Sequence, residues 1–282
     1  MAAILFSLFA SMSWGLADFA SGFKSRRLGT LTVLAWIEAS GLVIVMAVIV
    51  ATAEPLPDGR TALYAVIAGA AGVSALGALY QALSIGTMSI VAPISATGVM
   101  LPVIVGLATG DRLTVVIGVG IAVAIAGVLL ASREEVDELA SGGPNRQAIL
   151  LALAAAVGFG LYFTFADVAA DGSVLWLLAA GRIVALPFVI ALALRSSQPI
   201  IPAAPADRVQ LLLIGCADLI ATWLYGLATT RGALSVVSVI GSMYPVITVL
   251  LARAVLKERL SRTQAAGVVL ALAGVATVSA GG

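Results

Sequence analysis

Apolar residues run along this chain in stretches of about twenty, broken at short intervals by charge, proline or glycine. A helix of that length, rising 1.5 Å per residue, spans the roughly 30 Å hydrocarbon core of a bilayer. The pattern predicts ten such helices, over residues 2–21, 29–51, 61–84, 87–109, 112–132, 147–167, 173–194, 207–229, 233–256 and 260–280. Only the weak punctuation SIGTMS divides the third from the fourth. The first segment, AAILFSLFASMSWGLADFAS, lacks a basic leading region and an A-x-A cleavage site, so it is expected to remain a membrane helix rather than act as a secretory signal.

The pattern also repeats. DRLTVVIGVGIAVAIAG at 111–127 returns as ERLSRTQAAGVVLALAG at 258–274, 147 positions later. Residues 2–19 lie over 147–164, and LAWIEASG at 34–41 aligns loosely with LAAGRIVA at 178–185. The chain therefore divides into a first five-segment unit at 1–132, a connection at 133–146 and a second unit at 147–282. Five is odd, so the second unit enters the bilayer from the opposite side. The expected fold is an all-α membrane protein, two inverted five-helix repeats around a central cavity.

Composition agrees with lipid as the solvent. Hydrophobic residues make up 61% and charged residues 10%, against roughly 45–50% and 25% in soluble domains. A net charge of +1, with no basic run, sets nucleic acid aside as a partner. Cys216 is the single cysteine and there is no histidine, so neither a disulfide within the chain nor a metal site or other cofactor is expected. Lys24, Arg26, Arg27, Arg133, Arg146, Arg195, Arg208, Arg253, Lys257, Arg259 and Arg262 fall on one side, against Arg60, Arg112 and Arg231 on the other. The positive-inside rule then puts both termini outside.

Ionisable groups inside a span cost about 2.5–3.5 kcal/mol on insertion scales and so need a reason. Asp18 ends a stripe with Ser7, Ser11 and Trp14 on one helix face, and Asp218 opens an equivalent stripe with Thr222, Tyr225 and Thr229. The counterparts of the second stripe in segment three are Gly77, Tyr80 and Ser84. Two such stripes facing each other would wall a cavity, with Asp18 or Asp218 as proton carrier; otherwise the hydroxyls bond back to their own helices. Glu38 and Arg182 lie in repeat-related segments and are expected to neutralise each other as a buried ion pair, or else Arg182 faces the cavity and holds a substrate carboxylate. Segment nine carries Ser235, Ser238, Ser242 and Pro245 on one narrow face, and Pro245 frees a carbonyl one turn earlier, a point where the helix can bend. In the first half Pro93 and Pro102 flank Gly98, which stands where Pro245 does. Gly120, Ala124 and Gly127, with Gly267, Ala271 and Gly274, are read as small-residue seams for close helix packing, and Asp111-Arg112 and Glu258-Arg259 as surface punctuation.

With Trp14-Gly15 and Phe159-Gly160 in the first segment of each half, Arg182 in a second segment, and Y-P-V followed by K-E-R-L and G-x6-G, nearly the whole chain resembles the drug/metabolite transporter superfamily, specifically proteins with two EamA-type domains. The first half departs from the pattern at Gly98 and at Glu38. The resemblance implies cytoplasmic termini, in conflict with the charge count, and a substrate cavity walled by segments one, three, four, six, eight and nine. Phe159 and Phe163, the repeat counterparts of Trp14 and Asp18, would form an aromatic wall opposite the polar one. It implies export of amino acids, including aromatic ones, or related metabolites across the inner (cytoplasmic) membrane of a bacterium, by a monomer or homodimer. A multidrug or toxic-cation exporter is the alternative. No GxxxxGK[ST] nucleotide loop is present, so a proton or solute gradient would supply the energy. An intramembrane enzyme lacks Ser/His or Ser/Lys dyads, and a scaffold lacks soluble loops to hold a partner.

Overall fold

The outward face of the first helix is its apolar one. In α1 (Ala2–Leu28), Leu5, Phe9, Met12 and Leu16 are exposed while Ser7, Ser11 and Asp18 are buried. A helix in water would do the reverse, so this face meets lipid. The computed structural model describes residues 1–86, 91, 94–111, 113–131, 146–196, 198–256 and 262–281, and the regular elements among them are all helical.

After α1 come α2 (Thr30–Thr52), α3 (Gly59–Ile85), a 3-10 turn (Thr97–Val99) leading into α4 (Met100–Thr109), and α5 (Val115–Ala131). The second half contains α6 (Arg146–Gly172), α7 (Val174–Arg195), α8 (Pro205–Thr229), α9 (Leu234–Gly241), α10 (Tyr244–Leu256) and α11 (Arg262–Gly281). Six of these, α1, α2, α3, α6, α7 and α8, are long and apolar enough to cross a membrane. Shorter apolar helices occupy Ile94–Thr109, Val115–Leu130, Leu234–Thr248 and Ala265–Val278. Two helices outrun their expected ends, α1 to Leu28 and α6 to Gly172, because polar residues beyond the apolar core continue the helix outside the hydrocarbon.

The fourth and ninth segments are both interrupted midway. Pro102 has no N–H for the carbonyl of Gly98, and the chain tightens to 3-10 geometry at Thr97–Val99. In the second half the break falls at Ser242 and Met243, between α9 and α10. Pro93 lies outside the described residues, as does the side chain of Pro245.

The seams read from the repeated phrase come together. A Cβ added at Gly127 would strike Ala271, one at Gly274 would strike Ala124, and one at Gly120 would meet Val278. The partner number falls as the first number rises, so α5 and α11 run antiparallel along a groove that only small residues leave open. Ile117, Ile121, Val128, Val275 and Val278 close the apolar core around this seam.

Elsewhere, helices pack mainly on the other half. α1 lies on α8 and α10, α2 on α7 and α8, and α3 on α6 and α7. Gly15 presses its Cα against Tyr244 and Ile247, and Gly160 presses on Gly98 and Leu101. The aromatic-Gly pairs thus have a packing cause, since the glycine admits the opposite half's broken segment while the aromatic neighbour faces inward.

The loops are exchanged as well. At one end the Trp176 indole N–H donates to the Pro55 carbonyl (2.6 Å) and the Ser173 hydroxyl to Glu54 Oε1 (2.7 Å). At the other end the Thr32 hydroxyl donates to the Pro199 carbonyl, the Leu31 N–H to Gln198 Oε1, and the Trp36 indole to the Ile200 carbonyl. Thr32 and Trp176 are 144 positions apart, and so are Pro55 and Pro199, and Glu54 and Gln198. Each half clasps the other with corresponding residues at opposite ends.

Helix starts are fixed locally. Asp58 caps α3 through the Thr61 N–H at 2.7 Å, which holds its carboxyl below the usual range, and Ser173 caps α7 through the Trp176 N–H. Asp111, expected only to punctuate a turn, accepts from the Ser235 N–H (3.0 Å) and hydroxyl (2.7 Å) and so ties the loop before α5 to the start of α9. Arg112, Glu258 and Arg259 lie outside the described residues.

Candidate functional site

A cavity opens where α1, α2, α3, α6, α7, α8 and α10 converge. Its volume is about 80 Å³, room for several waters, since one needs only about 10–15 Å³. Four ionisable side chains from four helices line it: Asp18, Glu38, Arg182 and Asp218. Each is at most 8% exposed, so each must be neutralised or hydrogen-bonded from within.

Arg182 on α7 donates Nη2 to Asp218 Oδ2 on α8 at 2.8 Å and Nη1 to the Leu178 carbonyl at 3.1 Å. Its Nε has no hydrogen-bond partner among the described residues and lies over Gly41, where a Cβ would collide with it. The expected Glu38–Arg182 pair is therefore corrected: among the described residues the only ion-pair partner of Arg182 within 4 Å is Asp218. Repeat symmetry pointed to Glu38, but α8, the next helix along the chain, brings its carboxylate closer to the guanidinium.

Asp18 Oδ1 accepts from the Tyr80 hydroxyl at 2.9 Å and has no cation within ion-pair distance among the described residues. Glu38 is 6% exposed and lines the cavity, and its carboxylate makes neither a hydrogen bond nor an ion pair with any described residue. The wall is otherwise aromatic. Trp14 stands 5.8 Å from Phe163 and 6.3 Å from Tyr162 between ring centroids, and Phe159 stands 6.1 Å from Tyr244.

Of the expected solute contacts, Trp14, Asp18, Phe159, Phe163, Asp218 and Thr222 line this cavity. Ser7, Ser11 and Ser242 do not, and their hydroxyls donate to the Ala3, Leu8 and Val239 carbonyls of their own helices. Tyr225 and Ser238 bond each other at 3.0 Å behind the Phe163 wall, and Gly77 and Tyr80 stand behind the lining, with Tyr80 acting through Asp18. Asp218 is committed to Arg182, which leaves Asp18 as the freer of the two expected proton carriers. The lining also includes Gly69, Gly72, Tyr162, Gly181 and Tyr244, which the stripes did not indicate. A signal for Tyr244 existed in the Y-P-V motif, and for Tyr162 in its position beside Phe163. Neither carries a helical-face argument, because the facing of a helix apolar all round is set by packing.

Among the described residues no cluster of His, Cys, Asp or Glu has the grouping to hold a metal ion.

Apolar helices, polar groups turned inward and a buried cavity define a multi-pass membrane protein. The family model for the EamA-like transporter family matches residues 1–133 and 146–280, and the chain belongs to that family. No curated protein matches it. One solved crystal structure is similar with a TM-score of 0.77 over 99% of this chain and 98% of its own, at 19% identity, a likeness of fold alone.

Proposed function

We propose that the chain is a secondary transporter that exports small organic solutes, amino acids (including aromatic ones) or related metabolites, by alternating access. Its ten segments form two inverted five-helix repeats in a bacterial cytoplasmic membrane, with both termini outside, and it works as a monomer or homodimer. The observation that carries the reading is the antiparallel seam of α5 and α11, where copies of one phrase run in opposite directions, in a chain whose other helices from both halves line a cavity. Two related units of opposite sense meeting at a central site can rock between two mirror arrangements, which is how such repeats alternate access. The exchanged clasps support it, since corresponding contacts close opposite ends.

Asp18 is the proton carrier in this reading. It borders the cavity, and the hydroxyl of Tyr80 donates to it and steadies its ionised form. The test is counterflow in proteoliposomes preloaded with unlabelled phenylalanine or phenethylamine, measured against labelled solute outside. Accumulation that needs the preload supports a carrier; no exchange with either solute, in protein that remains folded, removes the reading. Flux in Asp18→Asn that keeps its full response to an imposed pH gradient would take the proton role from this residue. A toxic-cation exporter is the second reading, favoured by three carboxylates against one guanidinium in the lining.

A further inference from the structure

The charges of the cavity do not balance, and the imbalance has a definite location. Asp218 is neutralised by Arg182, and Asp18 is stabilised by Tyr80. Glu38 is buried, lines the cavity and makes no hydrogen bond or ion pair with a described residue, and the one cation that attracts it, Arg182, is already paired with Asp218. A carboxylate so placed is stable only if it takes a proton or a cation supplied from the cavity. No second guanidinium or ammonium group lines the cavity.

The same geometry works against an acid group on the solute. Arg182 gives one N–H from Nη2 to Asp218 and one from Nη1 to the Leu178 carbonyl, and Asp218 already balances its charge. A solute carboxylate that took a remaining N–H of Arg182 would share the cavity with three carboxyl groups, and their like charge opposes it. An ammonium group meets the reverse situation. Glu38 and Asp18 can accept its hydrogen bonds, and the rings of Trp14, Tyr162 and Phe159 line the same space for its apolar body.

We infer that Glu38 is the counter-ion that recognises a protonated amine, and that the favoured solutes are organic amines with an aromatic or branched apolar body and no free carboxylate. This rests on the cavity being the transport site and narrows the solutes that site accepts.

The test is binding to the purified full-length protein, by calorimetry, of phenethylamine, phenylalanine, 3-phenylpropionate and the neutral 2-phenylethanol. Phenethylamine should bind about tenfold or more tighter than phenylalanine, with 3-phenylpropionate weakest. Glu38→Gln should weaken phenethylamine by about tenfold while leaving 2-phenylethanol unchanged, and Glu38→Asp should recover part of the loss. Phenylalanine binding as tightly as phenethylamine would overturn the inference, as would a Glu38→Gln loss equal for amine and alcohol. The ranking on unmodified protein stands even where the Gln variant fails to fold. Amine that binds with this ranking but shows no counterflow removes the carrier reading and keeps the inference; solutes carried without preference for the amine do the opposite.

Discussion

The two exchanged clasps are built on corresponding positions, yet they are held differently. Where α1 meets α8, Asp207 receives both Lys24 (2.7 Å) and Arg27, and Gly29 makes the whole connection between α1 and α2. Where α6 meets α3 there is no ion pair among the described residues, and Ser173, the counterpart of Gly29, caps α7 and holds Glu54 by hydrogen bonds. One end is fastened by charge and a special backbone angle, the other by neutral and charge-assisted hydrogen bonds. Matching contacts therefore do not imply matching costs of opening, and two corresponding ends can be alike in position while biased in energy.

The sharpest way to break the comparison is one substitution made at both ends. Gly29 has φ +86° and ψ 146°, a region that is essentially glycine's alone, and Gln198 fills the space a Cβ would take. Gly29→Val should cost about 2–3 kcal/mol, read as a fall in melting temperature in detergent. Ser173→Val, at an extended φ of −163°, is not strained, and loses only its cap and the Glu54 bond, about 1 kcal/mol. Equal losses at the two positions would mean that the ends are held alike.

Next in size comes Asp207→Ala. It leaves Lys24, 15% exposed, without its partner, and should free the charged end. In a Cys216→Ser background, a cysteine placed at Val73 in the cavity wall should react with maleimide several-fold faster once that fastening is gone. No change in rate would show that the ion pair does not restrain the clasp.

The smallest effects come from the paired donors. Trp176→Phe removes an indole N–H from the Pro55 carbonyl, and Thr32→Val removes a hydroxyl from the Pro199 carbonyl. Each should cost about 0.5–1.5 kcal/mol by thermal unfolding, and the double variant should be additive because the sites lie at opposite ends. Strong coupling between them would indicate that the two clasps open together.

Much of the architecture was legible in the chain because lipid makes its demands in runs of sequence. Span length and the returning phrase at 111–127 and 258–274 led to the antiparallel seam, and steric need made the glycines at 127 and 274 readable. The site was legible where a carboxylate shared a helix face with an aromatic, as Asp18 does with Trp14. It was not legible at Ser7, Ser11 and Ser242, because a hydroxyl in a helix has a carbonyl of its own within reach and needs no cavity. Nor could sequence choose between Glu38 and Asp218 as the partner of Arg182. That choice turns on how closely α2, α7 and α8 approach, which glycines such as Gly41 set across helices rather than along one.

The reciprocal packing also settles what a single unit is worth. With Gly15 seated against Tyr244 and Ile247, Gly160 against Gly98 and Leu101, and the α5 groove filled by α11, each half shares much of its described interior with the other. Made separately, the two pieces should keep these grooves open until each finds the other, so that assembly, rather than the folding of either piece, becomes the step that fixes the structure.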